Sequence, residues 1–144
     1  MADEITLRPA ALSDVNAVAA LMTQLGYPST PSQVNPRLTR MLAHPDYAGF
    51  VAEAASEVVA LVLVHMEHGL EYDAIYGRIM GLVVDERFRG RGLGKQLMQY
   101  VERWCKDRGA DRIVLTSANR RLDSHKFYDA IGYERTGLRF AKWL

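Results

Sequence analysis

The sequence predicts a mixed α/β fold, and three observations predict it. Short apolar runs with strand character are interspersed with amphipathic segments at helical spacing, and glycine or proline stands at most junctions. The 144 residues suffice for one domain, residues 1–144, that buries roughly two-thirds of its unfolded surface. Ile5-Thr6-Leu7-Arg8 alternates apolar and polar residues until Pro9 stops it. Ser13 reads as the cap of a helix with Asp14 in its first turn and Val15, Val18, Ala19 and Met22 along one stripe, ended by Gly26. Pro28, Pro31 and Pro36 punctuate the next stretch. There Ser32 is a second candidate cap, for a helix through Leu38, Met41 and Leu42 to the turn at His44-Pro45-Asp46. Phe50 to Ala54 and Val58 to Met66 read as strands joined by the hairpin link Ala55-Ser56-Glu57, and Ile75 to Val84 as a longer strand. The segment from Leu93 to Arg108 is a helix with Gly109 as its C-cap, and Arg112 to Thr116 a buried strand. A helix near Ser124 to Ile131 ends at Gly132, and Tyr133 to Trp143 is expected to hold a last strand pair broken at Thr136-Gly137. The order is β-α-α-β-β-β-α-β-α-β-β, with no internal repeat and no linker.

Composition narrows the function classes. About half of the chain is apolar and a quarter charged, which excludes a disordered segment. A net charge of +1 argues against a general polyanion binder, so no nucleic-acid partner is expected. Cys105 is the single cysteine, so no internal disulfide forms and metal-site spacing is absent; no metal is expected. Four-residue spacing puts Cys105 on one helix face with Leu93, Leu97 and Val101, as a small core residue. The acidic start Met1-Ala2-Asp3-Glu4 is unlike a signal peptide, and the longest apolar run, Val58 to Val64, is too short to span a membrane. A cytoplasmic protein without a membrane partner is the expectation, and a homodimer is compatible with it.

The sharpest motif is Gly90-Arg91-Gly92-Leu93-Gly94-Lys95, placed between the strand ending at Val84 and the helix starting at Leu93. A glycine-rich turn opening a helix directs several backbone N–H groups at one anion, and phosphate is the default ligand. The segment is not a P-loop: Arg89 stands where the first glycine belongs, and Gln96 after Lys95 offers no hydroxyl for Mg²⁺. The dinucleotide fingerprint fails in both frames, because its third glycine falls on Lys95 or Leu97.

What remains is Arg89-x-x-Gly92-x-Gly94, with further cations at Arg87, Arg91 and Lys95. This resembles the acetyl-coenzyme A (acetyl-CoA) signature of the GNAT superfamily of N-acetyltransferases. The resemblance continues through Asn119 and Ser124-His125-Lys126-Phe127-Tyr128-Asp129-Ala130-Ile131-Gly132-Tyr133. It implies a mostly antiparallel central sheet flanked by helices, with acetyl-CoA as cosubstrate. It also implies that the N–H groups from Arg89 through Gly90, Arg91, Gly92, Leu93 and Gly94 to Lys95 hold the pyrophosphate, and that Leu82, Val83 and Val84 pair with pantetheine as with an added strand. An N–H near Leu82 or Val83 would polarise the acetyl carbonyl, with Gly81 a candidate bulge that opens the gap. By the same resemblance Asn119 binds the pantetheine arm and Tyr128 protonates the departing thiolate, while Lys126, with Arg120 and Arg121, reaches the 3′-phosphate. Structural roles stay open beside these: an Asx turn for Asn119, a core aromatic for Tyr128, solvated cations for the rest.

The general base is where the chain departs from the family. Many members carry glutamate eleven residues before the position of Arg89, and Arg78 stands there; an arginine accepts no proton. The base then comes from Glu71, Asp73, His65 or His68, with Glu71 named as the catalytic candidate, or the amine arrives neutral and loses its proton through water. Acids at Glu67, Glu71 and Asp73 favour a cationic amine, and Arg78 an anionic one. The expected function is acetyl transfer from acetyl-CoA to a primary amine of a polyamine-like or aminoglycoside-like small molecule, or to a protein or peptide amine, by direct attack. The alternative is a non-catalytic acyl-CoA-binding module.

Overall fold

A four-strand meander builds most of the sheet in the computed structural model, which describes residues 4–144. The elements are β1 (Ile5–Pro9), α1 (Val15–Leu25), α2 (Pro31–Ala43), β2 (Tyr47–Ala54), β3 (Glu57–Glu67), β4 (Tyr76–Val84), α3 (Leu93–Asp107), β5 (Ile113–Leu115) and α4 (Leu122–Ala130). Single 3-10 turns lie at Leu12–Asp14 and Glu86–Phe88. The sheet order follows the chain, β1-β2-β3-β4-β5, and the first three pairings are antiparallel. Ala55 and Ser56, with φ of 49° and 64°, close the β2–β3 hairpin in the doubly left-handed turn that matches strand twist.

The β3–β4 ladder shifts register between Leu63 and Val64, because Leu63 pairs with Gly81 while Val64 pairs with Ile79. Met80 is the extra residue, so the bulge expected at Gly81 sits one residue earlier. A bulge reverses the alternation of faces. A Cβ on Gly77 would meet Cys105 Sγ on α3, whereas one on Gly81 would approach Leu25 on α1. Arg78, between inward Gly77 and Ile79, therefore faces the α1/α2 side, as Gly81 does.

Helices cover both faces. Val51, Leu61, Leu63 and Val83 pack with Val18, Leu21, Val34 and Leu38 of α1 and α2 on one side. On the other, Phe50 meets Tyr100 and Trp104 of α3 edge to face, at 5.0 and 5.6 Å between centroids. Leu93, Leu97, Val101 and Cys105 are all buried, as their spacing predicts, and burial pushes the Cys105 thiol up to about 11.

Two caps differ from expectation. The chain enters α1 through a 3-10 turn, and buried Asp14 takes the N-cap position expected of Ser13 without a side-chain cap bond to the helix: its carboxylate turns back to accept from Ala11 N–H at 2.8 Å and from both Arg8 guanidinium nitrogens at 2.9 and 2.8 Å. Thr30, not Ser32, caps α2, since its side chain accepts from Gln33 N–H while Gln33 reciprocates, and Pro31 takes the first helical position.

The chain divides into two compact units, one running to Val114 and the other from Leu115 to Leu144. In the second, α4 begins at Leu122 and buries none of its residues. The strand pair expected over Tyr133 to Trp143 is absent: residues 133–144 carry no strand, and Leu138, Phe140 and Trp143 are 79, 89 and 99% exposed. A strand persists only when its backbone groups are paired, and residues 133–144 pair with no strand, β5 remaining the edge of the sheet.

Candidate active site

The glycine loop starts from a fixed base. Asp85, 8% exposed at the end of β4, accepts from Arg87 N–H at 2.9 Å and pairs with the Arg87 guanidinium at 3.0 Å, which holds its carboxyl below the usual carboxylate range. Arg87 also pairs with Glu57, so its charge belongs to this turn and not to a phosphate set. Arg89 Nε donates to Val84 O at 2.9 Å. Arg91 lies over the Phe88 ring at 4.9 Å, and Arg91 and Lys95 are exposed. Among the described residues neither forms an ion pair.

Gly90 and Gly92 adopt φ of +77° and +80°, where side chains are strained, and open space surrounds the place a Cβ would take. The first bond of α3 runs from Gln96 N–H to Gly92 O at 3.0 Å. The N–H groups of Leu93, Gly94 and Lys95 therefore have no partner within the helix, and they stand at its positive end. A cradle of open glycines, unpaired N–H groups and two exposed cations fits a diphosphate. Beside it, Leu82, Val83 and Val84 pair on one edge with Val62, Leu61 and Ala60 of β3. On the other edge Gly77 N–H donates to Arg112 O at 3.1 Å, and β5 has only three residues after Arg112. That length does not extend along Leu82–Val84, so apart from Val84 O, which accepts from Arg89 Nε, this stretch of edge faces no further strand among the described residues.

At the other end of β4 the register brings together residues far apart in sequence. His65 pairs with Arg78 and Glu67 with Tyr76. Arg78 Nε donates to Glu67 Oε1 at 2.8 Å, and His65 Nδ1 lies 3.2 Å from the same oxygen. Arg78, then the burial that opposes it, then Tyr76 and His65 bear on Glu67, and hydrogen bonding wins: the carboxyl is pulled down to about 2. The His65 ring stacks on Tyr47 at 4.3 Å. Arg78 is thus the anchor of a carboxylate, a role no isolated position reveals, although hairpin pairing across Glu67 and Tyr76 was its one legible signal. Glu71, Asp73 and His68 are exposed on the loop between β3 and β4.

In the second unit Asn119 and Lys126 are exposed. Tyr128 is half-buried against Phe127 and Tyr133, at 5.1 and 5.7 Å between centroids. Burial raises its phenol above the ordinary value, with Arg121 opposing, so the hydroxyl is protonated at neutral pH.

A meander sheet covered on both faces, with a glycine-rich loop opening a helix at the end of its fourth strand, is the arrangement that the resemblance to the acyltransferase family implies. The family model of the GNAT acetyltransferases matches residues 16–133, and the chain belongs to that family; it is an acyltransferase. It is 31% identical to the aminoalkylphosphonate N-acetyltransferase of Salmonella typhimurium over 139 residues, 96% of this chain and 90% of that one. It is 30% identical to an aminoglycoside N(6′)-acetyltransferase of Stenotrophomonas maltophilia over 136 residues, 91% and 87% of the two chains. A GNAT acetyltransferase structure from Staphylococcus aureus superposes with a TM-score of 0.84 at 28% identity, covering 97% of this chain and 98% of the other. The fold is also that of an aminoglycoside N-acetyltransferase solved with CoA, with a TM-score of 0.88 at 20% identity, covering 100% and 97%. Among the described residues no helix is long and apolar enough to cross a membrane.

Proposed function

We propose that this enzyme transfers the acetyl group of acetyl-CoA to the primary amine of a cationic small molecule, polyamine-like or aminoglycoside-like, by direct attack. Similarity over nine-tenths of the chain to two N-acetyltransferases named for small amines supports a small-molecule acceptor, and of the two the aminoglycoside enzyme, at 30% identity, is the one that supports a cationic acceptor. The structure adds a reason to favour cations. The charge of Arg78 is offset by Glu67, which its Nε contacts at 2.8 Å, while Glu71 and Asp73 are exposed beside that strand pair.

The cradle from Arg89 to Lys95 binds the pyrophosphate, and Leu82–Val84 align the pantetheine arm, with Asn119 adding a hydrogen bond and Lys126 attracting the 3′-phosphate. A backbone N–H of Leu82 or Val83 stabilises charge developing on the acetyl oxygen. Tyr128, kept protonated by burial, gives its proton to the departing thiolate. The whole chain acts as one domain, a reading supported by a family match that runs across both units.

The test is thiol release from acetyl-CoA across a panel of polyamines, aminoglycosides, aminoalkylphosphonates and lysine peptides. Turnover confined to peptides or phosphonates overturns the substrate class. In Tyr128→Phe, kcat should fall about a hundredfold with CoA affinity unchanged; equal losses in both would make Tyr128 a packing residue.

A further inference from the structure

We propose that the end of this chain, Leu138–Lys142, adds as a strand to the free edge of β5 in a second copy, so that two copies exchange tails and close as a dimer. Both halves of the contact lie on this chain. Ile113-Val114-Leu115 is an unbroken apolar run, the pattern of a strand covered on both faces, yet all three residues are only half-buried. β5 ends the sheet, and among the described residues no strand pairs with its outer edge. Such an edge presents N–H and C=O groups to a strand that can reach it.

The tail has the complementary deficit. Arg135 is tied back to Asp129 of α4 by bonds of 3.3 and 2.7 Å, and Tyr133 N–H donates to Tyr128 O at 3.0 Å, so the chain is anchored as far as Arg135. Past Gly137 it stands in solvent. In an extended conformation Leu138 and Phe140, 79 and 89% exposed, share a face with Lys142, while Arg139, Ala141 and Trp143 point the other way. Two large apolar side chains side by side form a patch, which marks a contact surface where scattered single residues do not.

Length and charge fit the tail to the edge. As strands, Leu138–Lys142 and Arg112–Thr116 each span about 16 Å. Arg112 lies over the Tyr72 ring at 3.5 Å, which brings the loop bearing exposed Glu71 and Asp73 to the start of β5, and the tail carries Arg139 and Lys142. Residues 115–144 hold six Lys or Arg against three Asp or Glu, whereas residues 1–114 hold twelve against fourteen. Opposite net charge favours the tail of one copy on the sheet of the other.

Each chain supplies one tail and one edge. A mutual exchange about a two-fold axis satisfies both edges and leaves no open end from which a filament would grow. The alternation read from the sequence as strand-forming then has its partner, in a second copy.

Sedimentation velocity tests this on the full chain, on a chain ending at Gly137, on Phe140→Glu and on Trp143→Ala. The full chain should be dimeric at micromolar concentration. The shortened chain and Phe140→Glu should each raise the dissociation constant at least about a hundredfold, since both remove apolar burial from the contact. Trp143→Ala, beyond the paired stretch and on its opposite face, should stay within about threefold of the full chain. In hydrogen exchange the amides of 113–115 and 138–142 should gain protection together as the dimer forms, and a synthetic peptide of residues 137–144 should protect 113–115 in the shortened chain. A full chain that stays monomeric, a dimer that survives loss of the tail, protection of 138–142 already present in the monomer, a peptide that leaves 113–115 unprotected, or a Trp143→Ala loss equal to that of Phe140→Glu overturns the proposal.

Discussion

Helices α3 and α4 each follow a segment associated with a strand, yet α3 seals Leu93, Leu97, Met98, Val101 and Cys105 from solvent while α4 seals nothing. The difference reaches beyond the helices. Every large side chain that is fully buried, from Leu21 to Cys105, belongs to the unit that ends at Val114, whereas Leu138, Phe140 and Trp143 stand in solvent in the other. The proposed phosphate cradle therefore rests on a helix held by a dense core, and the proposed thiolate acid, Tyr128, on one whose ring contacts are with Phe127 and Tyr133. Rigid backbone suits a site made of N–H groups; a lightly packed helix suits a proton donor that has to follow a leaving group.

The largest effect that would sharpen this contrast is on stability. Leu97→Ala, at a fully buried position, should cost roughly 2–5 kcal/mol in chemical denaturation, and Phe127→Ala on α4 less than half as much. Equal losses would show that α4 is packed as tightly as α3. Next in size is the cradle itself: Gly92→Val should weaken CoA binding about a hundredfold by calorimetry, since the loop must leave a φ of +80° to accept a side chain. The same strain lowers stability by about 1–2 kcal/mol, so the folded fraction must be measured alongside. Unchanged affinity in the folded variant would remove the cradle from the site. The smallest effect belongs to the exposed end of the second unit: Trp143→Ala should change stability by less than about 0.5 kcal/mol. A loss above 1 kcal/mol would show that this end is packed and break the contrast.

Local chemistry was legible without coordinates. The stripe Leu93, Leu97, Val101 and Cys105 follows from helical period alone, and Gly90 and Gly92 signal a turn where side chains do not fit. Helix existence was legible too, but caps were not: Ser13 and Ser32 are chemically suitable, and geometry chose Asp14 and Thr30 because a salt bridge in one case and a reciprocal Gln33 in the other favoured them. The strands expected between Tyr133 and Trp143 misled for a related reason. Apolar alternation states that a segment is able to pair, and the partner is a property of another part of the chain.

The polar end of the β3–β4 pair marks the boundary between the two kinds of information. Residue types by themselves determined that Arg78 cannot accept a proton, that a glycine-rich loop opens α3, and that the chain carries the GNAT signature. Only the tertiary structure decided that Arg87 is committed to Asp85 and Glu57, that Arg78 is held by Glu67, and that His65 shares that carboxylate. Identity of a side chain fixes its donors, acceptors and charge, whereas its partner depends on strand register, and a single bulged residue such as Met80 reassigns every face beyond it.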